Sequence, residues 1–160
     1  MTRLLVALTL VALWLGAALL TITVVAPGAF TVLPTRAMAG DLVGRVLPVI
    51  FAGAIVVPAL VVVVAPALRR SARAVVASML SALSAAVALG VVDPRIAALR
   101  AAAVVPIDQL TPGDPRRAMF GVLHAGSVAL LGLAMLAMSA LLVLLVRTLT
   151  GRAQMPGGAS

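Results

Sequence analysis

Cysteine is missing from the 160-residue chain, and so are lysine, glutamate and tyrosine. Without cysteine, disulfides, thiolate metal sites and thiol catalysis are all excluded. Without lysine and glutamate, all twelve basic residues are arginine and all four acidic ones aspartate, for a formal net charge of +8. Charged residues amount to 10 % and aromatics to 2 %, the rings being Trp14, Phe30, Phe51 and Phe120. A soluble domain carries about 25 % charged residues, so this chain cannot cover a water-facing surface. It has instead 64 % hydrophobic residues and a mean hydropathy of +1.27. That balance excludes a water-soluble globule and implies one membrane domain solvated by lipid.

The apolar residues fall into four uncharged runs, 4–25, 46–65, 74–92 and 119–146. As a helix the first is roughly 33 Å long, enough to cross a hydrocarbon core of about 30 Å. Arg3 ahead of it imitates a secretory signal. The run nevertheless exceeds an h-region of about 7–15 residues, and Pro27 follows Ala26 where cleavage would fall. An uncleaved span is therefore expected. The second run contains Pro48, Gly53 and Pro58, which a bundle tolerates because neighbouring helices satisfy the freed backbone groups. The fourth would be roughly 42 Å long and must tilt or protrude. The expected fold is all-α, a four-helix transmembrane bundle over residues 1–147 in a bacterial inner (plasma) membrane. Residues 148–160, with Gly151, Pro156, Gly157 and Gly158, are expected to be a disordered tail.

The connections carry local signals. Thr35 is placed to cap the second helix, and Asp41 stands four residues before Arg45, the spacing of a one-turn ion pair. Gly40 and Gly44 share a face and would admit another backbone. Ser78, Ser81 and Ala85 share another face, as do Ser84 and Ala88, which reads as a packing seam. Asp93-Pro94 and Asp114-Pro115 both read as a cap followed by proline at the first helical position. The first pair then opens either a short interfacial helix between helices 3 and 4 or a kinked continuation of helix 3; the second starts helix 4. The Val-Val-x-Pro pattern at 24–27 and again at 91–94 is read as chance in a valine-rich chain.

Four spans place both termini on one side. Arginines number six on each side, so the positive-inside rule is tied. The three arginines of the 66–73 turn favour cytoplasmic termini. A pI near 12 raises nucleic acid as a partner. The arginines, however, lie in the gaps between apolar runs, where membrane proteins place them. The expected partners are the lipid bilayer and either a second copy or another membrane protein, with no nucleic acid.

Chemistry has few candidates. His124 is the only imidazole, with Ser127 one turn later, but no carboxylate lies inside the spans to complete a triad. His124 and Met135 stand roughly 16 Å apart along a helix and cannot share an ion. One histidine also cannot supply a bis-histidine haem site. No enzyme activity, metal or cofactor is expected; a haem or metal carrier using His124 is kept as an alternative. The more economical cluster is electrostatic. Arg36, Asp41, Arg45, Asp93, Arg95, Arg100, Asp114 and His124 belong to one membrane face, with Ser127 a turn beyond. They either frame a vestibule for an anionic ligand or lipid headgroup, or act as solvated headgroup anchors.

Several stretches together carry a resemblance: Trp14-Leu15-Gly16, Val24 to Phe30, Ala39 to Arg45, Asp93 to Ile96, and Phe120 to Ser127. In that order they resemble the bacterial four-helix membrane family called domain of unknown function 4149, related to eukaryotic transmembrane protein 205. The resemblance runs from about Leu4 to Arg147, and Leu123-His124-x-x-Ser127 is its most specific piece. It implies an integral membrane bundle without a settled activity, and its eukaryotic relative's link to platinum-drug resistance implies export or trafficking. Relatives often place a polar amide one turn after the serine, where Leu130 and Leu131 stand here. The expected function is a small transport or resistance-associated factor. The further alternative is an assembly partner packing through Gly40/Gly44 and Ser81/Ala85.

Overall fold

The computed structural model describes residues 1–153. Regular structure among them is entirely helical and is dominated by four long rods: α1 (Thr2–Val32), α2 (Arg36–Val64), α3 (Ala72–Ala101) and α4 (Pro115–Ala153). Each is long and apolar enough to cross a membrane. Each packs on its neighbours in sequence, and α4 closes the ring against α1. The protein is a multi-pass four-helix bundle.

The helix boundaries follow from side-chain caps and prolines. Thr35 Oγ1 accepts from the Met38 N–H at 3.2 Å, Ser71 Oγ from the Ala74 N–H at 3.4 Å, and Asp114 Oδ1 from the Arg116 N–H at 2.8 Å. These caps satisfy donors that have no partner inside the helix. Leu33 and Ala65 leave the helical region immediately before Pro34 and Pro66, because a following proline disfavours the α conformation. Arg69 Nε then donates back to the Val62 carbonyl at 2.9 Å, covering the end of α2.

Many of the residues inside the bundle are small, and many of the large aliphatic ones point outward. Ala7, Ala18, Ala54, Ala77, Ala85, Ala88 and Ala134 are buried, whereas Leu13, Val49, Val63, Leu83 and Leu136 are exposed to lipid. Lipid tails are as apolar as leucine, so burial adds little and close packing decides which side faces in. The Ser78, Ser81, Ser84 and Ala85 seam is buried as expected. Its hydroxyls act differently from one another: Ser84 bonds its own preceding turn, at Leu80, while Ser81 reaches across to α2. Pro58 has no N–H, so the Ala54 carbonyl lacks its helical donor. Ser81 Oγ donates to that oxygen at 3.0 Å. One layer away, Trp14 Nε1 donates to the Ile50 carbonyl at 2.9 Å, with its ring against Gly53. A Cβ at Gly53 would lie 2.6 Å from Trp14 Cδ1, so only glycine admits the indole there.

Two prolines are accommodated by wide turns. The π-turns Thr21–Val25 and Ala88–Val92 each end two residues before a proline, Pro27 or Pro94. The Ala26 N–H bonds the Thr21 carbonyl, and the Asp93 N–H bonds that of Ala88. Such a turn moves aside the carbonyl that a proline ring would strike in a regular helix, and the rod continues. Both copies of Val-Val-x-Pro therefore adopt the same local structure, a coincidence of form that chance repetition in the sequence did not foretell.

Three expectations change as a result. Asp93–Ala101 continues the rod of α3 without a break, which selects the continuation over a separate interfacial helix. Asp93 is accordingly not a cap, because the residue before it is already helical. The last helix runs to Ala153, past the expected end at 147. Thr148 Oγ1 bonds the Leu144 carbonyl at 2.7 Å, and Leu149 packs on the core. Residues 154–160 of the expected tail lie outside the described residues.

Candidate functional site

Away from the chain ends the bundle opens into a cleft of about 1010 Å³. Six of the nine residues of the expected vestibule line it: Arg36, Asp41, Asp93, Arg100, His124 and Ser127. They come from α2, α3 and α4, and Phe30 brings in the end of α1. Arg45 is exposed and lines no part of it. Arg95 follows Asp93 by two residues, about 200° around the helix. It therefore faces a separate shallow depression beside Leu99, Met119 and Leu123.

Arg100 organises the wall. Its Nη1 lies 3.2 Å from Asp41 Oδ1, and its Nη2 donates to the Gly40 carbonyl at 3.4 Å. The expected one-turn pair of Asp41 with Arg45 does not form among the described residues; Asp41 is taken by a residue 59 positions away. The Gly40/Gly44 face likewise receives this side chain in place of another backbone. Cβ atoms there would lie 3.1 Å and 3.4 Å from the Arg100 nitrogens. On its other side the guanidinium carbon sits 5.6 Å from the Phe120 ring centre, within cation–π range. Phe120 is stacked on His124 at 6.1 Å with 8° between the planes. A line of contacts thus crosses the cleft from α2 to α4.

Asp93 is the exception to this pairing. One carboxylate oxygen, Oδ2, is buried and has no hydrogen-bond partner. Ser127 is buried beside the same space. Pro48 lines it too, and its missing N–H deprives the Gly44 carbonyl of its helical donor. No side chain among the described residues hydrogen-bonds that carbonyl. Asp114, expected on the same membrane face, lies outside the cleft. Its carboxyl is held below the usual aspartate range by hydrogen bonds from the Arg116 side chain and backbone.

The sequence reading missed Arg117, Asp108 and Phe120 as lining residues. A signal for two of them was present. Arg117, Phe120, Gly121, His124 and Ser127 recur at helical spacing and share one face of α4. Asp108 sits in the loop after α3 and had no such periodicity. His124 and Ser127, though one turn apart, do not hydrogen-bond each other among the described residues. Among the described residues no three of His, Cys, Asp and Glu converge as a metal cluster.

Fold and site together define a four-helix integral membrane protein with a charged cleft at one end. Residues 9–104 match the family described as Domain of unknown function (DUF4149), and the chain belongs to that family. No curated protein and no solved structure matches the chain. The match spans most of α1, all of α2 and α3, and stops in the following loop. Leu123-His124-x-x-Ser127, expected to be the most specific piece of the resemblance, therefore lies outside it.

Proposed function

We propose that the protein is a non-enzymatic, membrane-resident binding protein whose cleft takes up a charged small ligand or lipid headgroup for transport or resistance. The observation that carries this reading is the convergence of Arg36, Asp41, Asp93, Arg100 and His124 on one space of about 1010 Å³. Headgroup anchors need no such convergence, and Arg45 and Arg95 stand apart as anchors do. The other half of the bundle favours binding over an open pore, since Phe51, Val61, Met138, Leu141 and Leu145 are fully buried there. The role in export is taken from the eukaryotic relative attributed to the resembled family, transmembrane protein 205. A bacterial inner membrane with cytoplasmic termini is the placement that composition and the arginines of the 66–73 turn favour.

The natural lack of thiols supplies the test. Ala97→Cys places a thiol in the cleft, and Ala67→Cys places one in the turn at the opposite end. Each variant is labelled with a maleimide in detergent, with and without bacterial polar lipid extract. Extract is expected to slow labelling at 97 but not at 67, and Arg36→Gln together with Arg100→Gln should abolish that protection. Equal labelling at 97 with and without extract would overturn the reading.

A further inference from the structure

The cleft contains an imbalance of hydrogen-bonding groups that narrows the class of its ligand. Asp93 Oδ2 is buried without a donor. Gly44 and Pro48 line the same space, and the Gly44 carbonyl has lost its helical donor to the proline. Ser127 adds a hydroxyl that makes no hydrogen bond to another residue among those described. These groups are a carboxylate, a carbonyl and a hydroxyl, which can all accept. Of the three only the Asp93 oxygen is buried without a donor, which is costly, so the complementary ligand brings N–H groups and a positive charge to that end of the cleft. A primary ammonium has three such donors.

Next to these acceptors stands a cation with unused capacity. Arg100 has five N–H donors and gives one to Asp41 and one to Gly40. Its Nη1 lies 3.4 Å from the position of a Cβ on Gly44, so the guanidinium borders that residue. A guanidinium with spare donors matches phosphate oxygens.

Resting on the binding role proposed above, we infer that the cleft takes a phosphoethanolamine headgroup. Its ammonium sits on Asp93, Gly44 and Ser127, and its phosphate on Arg100. The same chemistry occurs in an aminophospholipid and in free phosphoethanolamine. Discrimination comes from donors, not from charge. A choline headgroup keeps the positive charge but has no N–H, and a glycerol headgroup lacks the cation altogether.

The test is lipid retention through stepwise delipidation, read by native mass spectrometry of the full chain in phosphatidylethanolamine, phosphatidylcholine or phosphatidylglycerol. The ethanolamine lipid is expected to be retained over both others by about tenfold or more, the scale of one charge-assisted hydrogen bond. Asp93→Asn, nearly isosteric, should equalise ethanolamine and choline lipids, and Arg100→Gln should lower retention of all three. Ser127→Ala, expected to weaken the same preference, serves as the second variant should Asp93→Asn fail to fold. Displacement by millimolar free phosphoethanolamine supports a soluble source of the headgroup; retention despite it supports the bilayer as the source. Equal retention of ethanolamine and choline lipids by the wild type overturns this inference and leaves the binding role standing. No retention of any lipid and no binding of free phosphoethanolamine overturns both.

Discussion

Helix α2 contains two prolines ten residues apart, and the bundle treats them in opposite ways. Pro58 strips a donor from the Ala54 carbonyl, and Ser81 from α3 replaces it at 3.0 Å. Pro48 strips a donor from the Gly44 carbonyl, which no side chain among the described residues replaces, and both residues line the cleft. Around Pro58 the helices are close-packed, with Ala54, Pro58 and Val61 fully buried. Around Pro48 they are held apart, with Arg100 and its partners between them. The same local defect is thus repaired where the bundle is dry and left open where it meets its surroundings. In a bilayer an unpaired carbonyl has no water to fall back on. The repair is therefore structural in the first half, and the opening in the second marks where a ligand or solvent must supply the donor.

The sharpest way to break this contrast is at the glycines. Gly53→Val should prevent folding, because its two methyls enlarge a collision that the Cβ already makes with an indole fixed by its own hydrogen bond. Gly53→Ala should cost about 1–3 kcal/mol as overpacking. Gly44→Ala should be nearly neutral, since its closest neighbour is the movable end of Arg100 and alanine favours the helix. Thermal melts in detergent distinguish the three. Equal effects at 53 and 44 would erase the difference between the halves.

Ser81→Ala comes next, leaving the Ala54 carbonyl without a donor. The expected loss is about 0.5–2 kcal/mol, the range spanned by unsatisfied buried groups and by hydrogen bonds measured within membranes. Pro58→Ala restores an N–H to that carbonyl, so Ser81→Ala should cost much less in the Pro58→Ala background. A loss unchanged by the second substitution would mean that the serine acts by packing alone.

Much of this could be read from the chain. Composition and four uncharged runs suffice for the bundle, because lipid leaves helices almost no alternative to pairing their own backbone. The serine seam was legible from spacing. The cleft was half legible: one-face charge counting brought Arg36, Asp41, Asp93, Arg100 and His124 together. It could not tell that Asp41 pairs with Arg100 instead of Arg45. That choice depends on α3 continuing past Pro94, which in turn depends on a π-turn. Nothing in a residue-by-residue helix signal announces such a turn, since it arises from a carbonyl moving away from a ring. Gly53 was legible only as a helix breaker, its partner Trp14 being 39 positions away.

The Arg100–Asp41 pair tests the open half. It is partly exposed on both sides, at 35 % and 66 %, so solvent screens it, and Arg100→Gln should change stability by less than about 1 kcal/mol. Its larger effect should be on access. A thiol introduced by Ala37→Cys in the cleft should label faster once Arg100 no longer bridges α2 and α3. An unchanged rate would mean that the pair does not limit the opening.

The smallest effect concerns two copies of one tripeptide, Asp93-Pro94-Arg95 and Asp114-Pro115-Arg116. In the second, the arginine folds back, with Nη2 2.7 Å from Asp114 Oδ2, and the carboxylate caps α4. In the first, Arg95 faces elsewhere and the aspartate stays inside a continuous helix. Because Arg116 holds the Asp114 carboxyl below its ordinary pKa, the folded state takes up that proton less readily than the unfolded one. The cap's contribution is therefore complete above the usual aspartate range and disappears as pH falls through the lowered folded value. Asp114→Asn should flatten this part of the acid limb of a pH–stability profile, while leaving the melt near pH 7 only slightly lower, since asparagine also caps helices. An acid limb as steep as the wild type's would show that the tripeptide's two settings do not differ in their coupling to protons.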